Sequence, residues 1–287
     1  MRGFTTISTT KPFLRWVGGK TWLIKYLNKI IGDTKFNNYH EPFLGGGSIF
    51  FTITPKRSSY LSDINNELIN TYQCIKDNPS AVIDMLRTYE NTEVFYYKIR
   101  NQVSNDQIEQ AARFIFLNQT SFNGLYRVNQ RGEYNVPFGY RKKDFLEEEK
   151  LISASKCLQK ATLICGDFTC NKFNIMEGDL IFLDPPYTVS HNNNGFIKYN
   201  QKLFSLNDQK RLSNFIDYIK SQGAYYILTN ASHQTILELF DKGDIRLELS
   251  RASLIGGSNA KREKVSEYIF TNVQGGQIDE HYGKVGF

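Results

Sequence analysis

Asp184, Pro185, Pro186 and Tyr187 follow directly on an apolar run, Leu180–Leu183, in the stretch GDLIFLDPPYTVS from Gly178 to Ser190. Four apolar residues in a row read as a central parallel strand. Two prolines carry no amide hydrogen for a ladder, so the chain must leave the sheet at this point. The exit sets the Asp184 carboxylate, the Pro185 carbonyl and the Tyr187 ring at the carboxyl edge, where open α/β sheets bind ligands. Two acceptors and a ring face suit a planar –NH₂ group on a heterocycle. The acceptors hold its hydrogens and return lone-pair density to nitrogen, while the ring stacks on the base. An ordinary strand-to-loop turn closed by Asp-Pro has the same local sequence. The rest of the chain decides between them.

Gly45, Gly46 and Gly47 sit between a strand and a helix start in NYHEPFLGGGSIFF, Asn38–Phe51. Such a turn brings backbone close to a ligand and points helix amides at it. Asp63 ends the next strand, sixteen positions past Gly47, in place to hold ribose hydroxyls. That pair fits any nucleoside-containing cofactor, a nicotinamide dinucleotide first among them. The Asp184 edge argues against hydride chemistry, because a nicotinamide enzyme needs a proton donor near the substrate carbonyl, whereas this edge offers a carboxylate, a carbonyl oxygen and a ring face. An activated amine calls instead for an electrophilic methyl, as in S-adenosylmethionine, whose adenosine suits the glycine turn and Asp63.

The elements that must hold these groups follow from periodicity. Strands are expected at Tyr60–Asp63, Leu180–Leu183, Ala224–Asn230, Ile245–Ser250 and Val265–Val273. Helices are expected at Asn66–Asp77, Pro79–Tyr89, Asp208–Ser221 and Gln234–Phe240. Alternating strands and helices make an α/β chain with a mostly parallel, doubly wound sheet. Between about Asn91 and Lys160 the alternation breaks. A helix over Gln107–Leu117 precedes two short runs, Leu125–Val128 and Glu133–Val136, around the polar turn Asn129–Gly132, which read as a β-hairpin. A hairpin with two arginines inside a parallel α/β protein reads as an insertion with its own job.

The 287 residues carry a net charge of +6, which permits an anionic partner without requiring one. Arg127, Arg131, Arg141, Lys142 and Lys143 crowd one segment, and Lys261, Arg262 and Lys264 another. Either cluster could be a solvated face. Interleaving of the first with Tyr126, Tyr134, Phe138 and Tyr140 favours a nucleic-acid surface. Cys74, Cys157, Cys165 and Cys170 form no C-x-x-C pair, and with four His they suggest neither a metal site nor disulfides. No stretch has the length and apolarity of a membrane span, and the segment Met1–Thr10 has no apolar signal region, so a cytoplasmic location is expected. Oligomeric state is not encoded in any pattern of this kind.

In order along the chain stand PFLRWVGGK (Pro12–Lys20), EPFLGGGSIFF (Glu41–Phe51), SDIN (Ser62–Asn65), FNGLYRVNQRGEYNVPFG (Phe122–Gly139), CGDF (Cys165–Phe168), DPPY (Asp184–Tyr187) and SEYIFTN (Ser266–Asn272). In these motifs and their order the chain resembles the Dam-type, class α, DNA adenine-N6 methyltransferases over nearly its full length. The resemblance implies a Rossmann-like catalytic domain in two parts, residues 1–90 and 161–287, interrupted by a target-recognition domain at 91–160. It implies S-adenosylmethionine as cofactor and double-stranded DNA as partner, with no metal. Trp16, Lys20, Asp63 and Asp184 would contact the methyl donor, the turn Phe43–Gly47 (Phe43, Gly45 and Gly47 among its residues) its methionine part, and Asp167 and Phe168 its adenine. Asp184, Pro185, Pro186 and Tyr187 would carry the chemistry on a flipped-out adenine, with Ser190–Asn200, including Phe196 and Tyr199, closing over it. The hairpin is close to that of GATC-reading members. Phe122 and Asn123 would fill the vacated stack, Leu125 and Pro137 would touch a thymine methyl, and Arg127 and Arg15 would read guanines. Tyr140 would add a further DNA contact. Phe122 stands where a Tyr is common, Arg15 where a Lys is common, and GYRKK (Gly139–Lys143) transposes the usual Arg-Tyr order. A DNA-binding module without catalysis and a nicotinamide-dependent oxidoreductase are the competing classes; the filled donor positions oppose the first, and DPPY with the hairpin insertion opposes the second. A nearer alternative is the same chemistry with a different recognition sequence. A restriction partner and a solitary enzyme would carry the same motifs.

Overall fold

The computed structural model describes residues 10–187, 204–252 and 264–274. The chain forms two compact units, Met1–Thr21 with Leu44–Cys170, and Trp22–Phe43 with Asn171–Phe287. Seven strands lie among the described residues, with helices between most of them. Strand pairing is mostly parallel, as the α/β reading of the sequence expected.

In the first unit, β2 (Ser59–Asp63) pairs in parallel with β3 (Ala161–Cys165), Ser59 opposite Ala161 and Asp63 opposite Cys165. Helix α2 (Ser48–Ile53) precedes β2, and α3 (Asn66–Asp77) follows it. The Asn65 side chain accepts the Leu68 amide at 3.1 Å, which satisfies one orphan donor and starts α3 at once after the strand. Leu68, Ile69, Tyr72 and Ile75 recur at helical spacing and are buried. Helix α4 (Pro79–Arg87) begins with proline at a first-turn position, where its missing amide costs nothing. It stops two residues short of the expected Tyr89, because Thr88 and Tyr89 tighten into turns on Met85 and Leu86. Helices α5 (Glu93–Asn101), α6 (Gln107–Thr120) and α7 (Glu148–Leu158) complete this unit. Strand β3, which runs into the CGDF motif at Cys165, and helix α5 add to the elements expected from the sequence.

The expected hairpin follows a hairpin path without becoming two strands. Only isolated bridges form, Val128 with Tyr134 and Ser121 with Phe138. Asn135 donates its amide to the Arg127 carbonyl at 3.1 Å. The carbonyl of Leu125, however, is taken by the Tyr134 hydroxyl at 2.7 Å. A side chain thus replaces the next ladder bond, and Pro137 has no amide to give.

The second unit holds β1 (Tyr39–Glu41), β4 (Leu180–Leu183), β5 (Tyr225–Ala231), β6 (Ile245–Ala252) and β7 (Lys264–Thr271). β4 runs parallel between β1 and β5, and all four of its residues are buried. β7 lies antiparallel between β5 and β6. Helices α1 (Ile24–Ile31), α8 (Leu206–Ser221) and α9 (Gln234–Phe240) belong to this unit. Ser205 and Asp208 cap α8 reciprocally. Inside the sheet, His40 meets Asp179 at 3.0 Å, both buried. The expected closing segment Ser190–Asn200, and Lys261 and Arg262 of the second basic cluster, lie outside the described residues.

Candidate functional site

The first group of functional side chains surrounds the glycine turn. Gly45 has φ +47°, a conformation that costs glycine little and other residues more. Its amide donates to Asp63 Oδ2 at 2.9 Å, and Asp63 Oδ1 accepts the Asn65 amide at 3.0 Å. The Tyr72 hydroxyl of α3 holds the Gly45 carbonyl at 3.0 Å. Burial raises the pKa of the Asp63 carboxyl, against the amide bonds from Asn65 and Gly45, which lower it. The Ile64 amide is a third donor to this carboxylate, so about one of its roughly four acceptor sites is left for a further donor such as a ribose hydroxyl.

Trp16 explains the glycines in a way the sequence could not. A Cβ added at Gly45 would lie 2.8 Å from Trp16 Cδ1 and Nε1, and one at Gly46 would lie 2.8 Å from Trp16 Cβ. The indole therefore rests directly on the turn. Its other neighbours are Tyr126, stacked at 5.8 Å and 22°, and Phe114, at 6.4 Å and 25°. Lys20 is buried; its ammonium donates to the Gly18 carbonyl at 3.0 Å, and its amide to Ser48 Oγ at 3.2 Å, at the start of α2. The chain past β3 stays close to Asp63, since the Gly166 amide donates to the Asp63 carbonyl at 3.0 Å. Asp167 Oδ1 accepts from both the amide and the hydroxyl of Thr169, and Phe168 is buried. Phe43 belongs to the other unit and packs edge-on against Phe204 at 5.7 Å.

The expected DNA-reading residues gather in the same unit as Trp16. A Cβ at Gly124 would strike the Arg15 side chain at 2.7 Å, so Arg15 lies against the Phe122–Gly124 turn. Asn118, near the end of α6, clamps Arg15 by its backbone, accepting its amide at 2.8 Å and donating to its carbonyl at 2.7 Å. Burial and the neighbouring charge of Arg141 both lower the pKa of Arg15, so two cations stand close together here. Phe122 is 51% exposed, and Asn123 takes the left-handed conformation at φ +54°. Arg127 is exposed, its guanidinium braced on Asn135 by bonds of 2.7 and 3.2 Å. Leu125 is half-buried and Pro137 exposed. Tyr140 is also exposed, with φ +51°, and its hydroxyl donates to Glu93 at 2.8 Å.

The second unit carries the DPPY group. Asp184 follows the buried end of β4, and its Oδ1 accepts the Thr229 hydroxyl at 2.8 Å. Pro185 is buried and Pro186 half-buried. Tyr187 donates its hydroxyl to Glu267 Oε2. Burial holds the Tyr187 phenol well above its ordinary pKa, and the charges of Glu267 and Asp184 add to this, so it remains a donor. Thr229 on β5 and Glu267 on β7 were not singled out as site residues from the sequence. A lone acid directly before the apolar run Tyr268–Phe270 is the signal that marks Glu267. Among the described residues no cluster of His, Cys, Asp and Glu could hold a metal ion, and no helix is long and apolar enough to cross a membrane.

The family model of D12 class N6 adenine-specific DNA methyltransferases matches residues 16–253. Among curated proteins, the chain is 33% identical to the type II methyltransferase M1.LlaDCHI of Lactococcus lactis subsp. cremoris, over 91% of this chain and 95% of that one. It is 30% identical to the type II methyltransferase M.MjaIII of Methanocaldococcus jannaschii, over 91% and 99%. To the DNA adenine methylase of Escherichia coli it is 29% identical, over 90% and 94%.

Proposed function

Since the chain belongs to the D12 class of N6 adenine-specific DNA methyltransferases, we propose that it moves a methyl group from S-adenosylmethionine to N6 of adenine in duplex DNA, within GATC. The observation that carries the reading is the Asp184 carboxylate, fixed by Thr229 on one oxygen and followed by Pro185 and a hydroxyl-anchored tyrosine ring.

An adenine inside a duplex cannot reach such a group, so the base must be flipped out at a cost of a few kcal/mol. Asp184 and the Pro185 carbonyl accept the two N6 hydrogens, and the Tyr187 ring stacks on the base. The amine attacks neutral, and no strong base is needed before transfer. When bound, the cofactor supplies a sulfonium methyl as electrophile. Asp63 would hold its ribose, the Phe43–Gly47 turn its methionine end and Asp167 with Phe168 its adenine, and Trp16, Lys20 and Asp184 would also contact the donor. The remaining acceptor capacity of Asp63, whose carboxylate is held beside the glycine turn by the Gly45 amide, fits such a molecule. Rate enhancement comes mostly from orientation and hydrogen-bond polarisation.

Target recognition falls to residues 91–160 and Arg15. Paired cations at Arg15 and Arg141 suit a polyanion, and the exposed Phe122 ring suits the stack left by the flipped base. Leu125 and Pro137 meet a thymine methyl, and Arg127 and Arg15 take guanines in the major groove. Incubation with labelled S-adenosylmethionine and plasmid DNA, followed by methylation-sensitive digestion and mapping of N6-methyladenine, tests the reading. Label in adenine of GATC supports it. Label elsewhere removes the GATC assignment, and no label in DNA removes the activity.

A further inference from the structure

Two side chains outside the DPPY motif are bonded to its working groups. Thr229 is fully buried on β5; its hydroxyl lies 2.8 Å from Asp184 Oδ1 and 3.5 Å from the Leu183 carbonyl, and the nearer, charged oxygen is the stronger acceptor. That bond ties one carboxylate oxygen to the sheet and so fixes the direction in which the carboxylate faces. Glu267 is fully buried on β7 and receives the Tyr187 hydroxyl.

The sheet makes the two a pair. In the antiparallel register of β5 and β7, Thr229 stands opposite Ile269 and Ala231 opposite Glu267. Residues two apart on a strand share a face, so Thr229 and Glu267 are diagonal neighbours on one side of the sheet. Ala231 is small, which leaves room above it for the long side chain opposite. A fully buried carboxylate carries a large desolvation penalty, and an apolar residue at this place in β7 would serve packing as well or better. Its presence next to a reactive motif points to a task other than stability.

We propose that Thr229 and Glu267 are positioning residues for methyl transfer, Thr229 setting the orientation of the Asp184 carboxylate and Glu267 setting the plane of the Tyr187 ring through its hydroxyl. The inference rests on the methyltransferase reading above. It also changes what Tyr187 is: the hydroxyl is an anchor, and the ring is not free to be any aromatic face. Removing the hydroxyl leaves a buried carboxylate without that donor and the ring without its tether.

The test measures single-turnover methylation of duplex DNA beside calorimetric affinities for S-adenosylmethionine and for DNA. The variants are Thr229→Val, Thr229→Ser, Glu267→Gln, Tyr187→Phe and the double variant Tyr187→Phe with Glu267→Gln. Misplacing a reactive group by an ångström costs rate steeply, so Thr229→Val and Tyr187→Phe are expected to slow transfer about tenfold or more. Both affinities stay within about twofold of wild type, and Thr229→Ser, which keeps the hydroxyl, restores most of the rate. The double variant is expected to be no slower than Tyr187→Phe, because the charge that lost its donor is gone. Full-speed Thr229→Val and Tyr187→Phe beside an active wild type would overturn this inference and leave the methyltransferase reading standing. Rate losses that follow melting temperature, with no rescue by serine, would overturn it too, by making these fold residues. A wild type that methylates no DNA overturns the functional reading, and this inference falls with it.

Discussion

Asp63 and Gly45 are bound to each other: the carboxylate at the end of β2 accepts the amide of the glycine turn at 2.9 Å, eighteen positions back along the chain. Asp63 is thus a brace for the turn as well as a candidate partner for a ribose. Because each oxygen already accepts a backbone amide, an asparagine in its place would set its –NH₂ against one of two N–H groups. Asp63→Asn is therefore expected to weaken S-adenosylmethionine binding as much as Asp63→Ala does, by about 1–3 kcal/mol for a charged hydrogen bond lost. Calorimetric titration of both variants checks this. An asparagine variant with wild-type affinity would show that the brace does not matter.

Gly46 lies under Trp16. Its φ needs no glycine, yet a Cβ there would sit 2.8 Å from the Trp16 Cβ, an atom too near the backbone to swing away. Gly46→Ala should lower stability by about 1–3 kcal/mol through overpacking and weaken donor binding with it. Gly132→Ala is the comparison: nothing lies within 4 Å of its Cβ, and only its φ of +80° is strained. That variant should melt lower while binding the donor normally. Equal donor affinities in the two would remove the significance given to the indole contact.

Arg127 is held ready by Asn135 on an exposed face. A bidentate arginine–guanine pair carries about 1–3 kcal/mol of discrimination. Arg127→Ala is expected to relax choice at one base pair, with methylation appearing at near-cognate sites on mapped plasmid DNA. An arginine touching only phosphate would instead weaken binding equally on all sequences and lower its salt dependence.

Asp179 predicts an acid limit. Burial raises the pKa of its carboxyl, but the bond with His40 and the amides of Asn38 and Met176 outweigh it, and the net shift is downward. A group whose pKa is depressed on folding contributes stability above its unfolded value of about 3.9 and loses it as pH falls through the folded one. Wild type should therefore lose melting temperature steeply below about pH 4, and Asp179→Asn should be less stable at neutral pH but flatter in that acid range. Parallel slopes for the two proteins would exclude Asp179 as a source of the acid sensitivity.

Much of this molecule is legible one residue after another. The apolar run Leu180–Leu183 and its two prolines determine a buried strand and an abrupt exit at Asp184, because hydrogen-bonding capacity and burial are properties of each residue type. Helices α3 and α4 begin at Asn66 and Pro79, where the sequence places them, each capped by the asparagine before it. The glycine turn, Asp63 at a strand end and the ordered motifs determine the family. What no spacing could determine is which side chains meet. Trp16 on Gly45, Asn118 on the backbone of Arg15, and Thr229 on Asp184 are pairings 29, 103 and 45 positions apart. The hairpin had every sequence signal of a two-stranded ladder, yet the Tyr134 hydroxyl took a ladder carbonyl. Glu267 is the sharpest case. Its sequence shows an acid beside the apolar run Tyr268–Phe270, and only the antiparallel register of β7 on β5 turns that acid toward the face that carries Thr229. Periodicity is a local property and survives in the sequence; register and packing are relations between distant segments, and they exist only once the chain has folded.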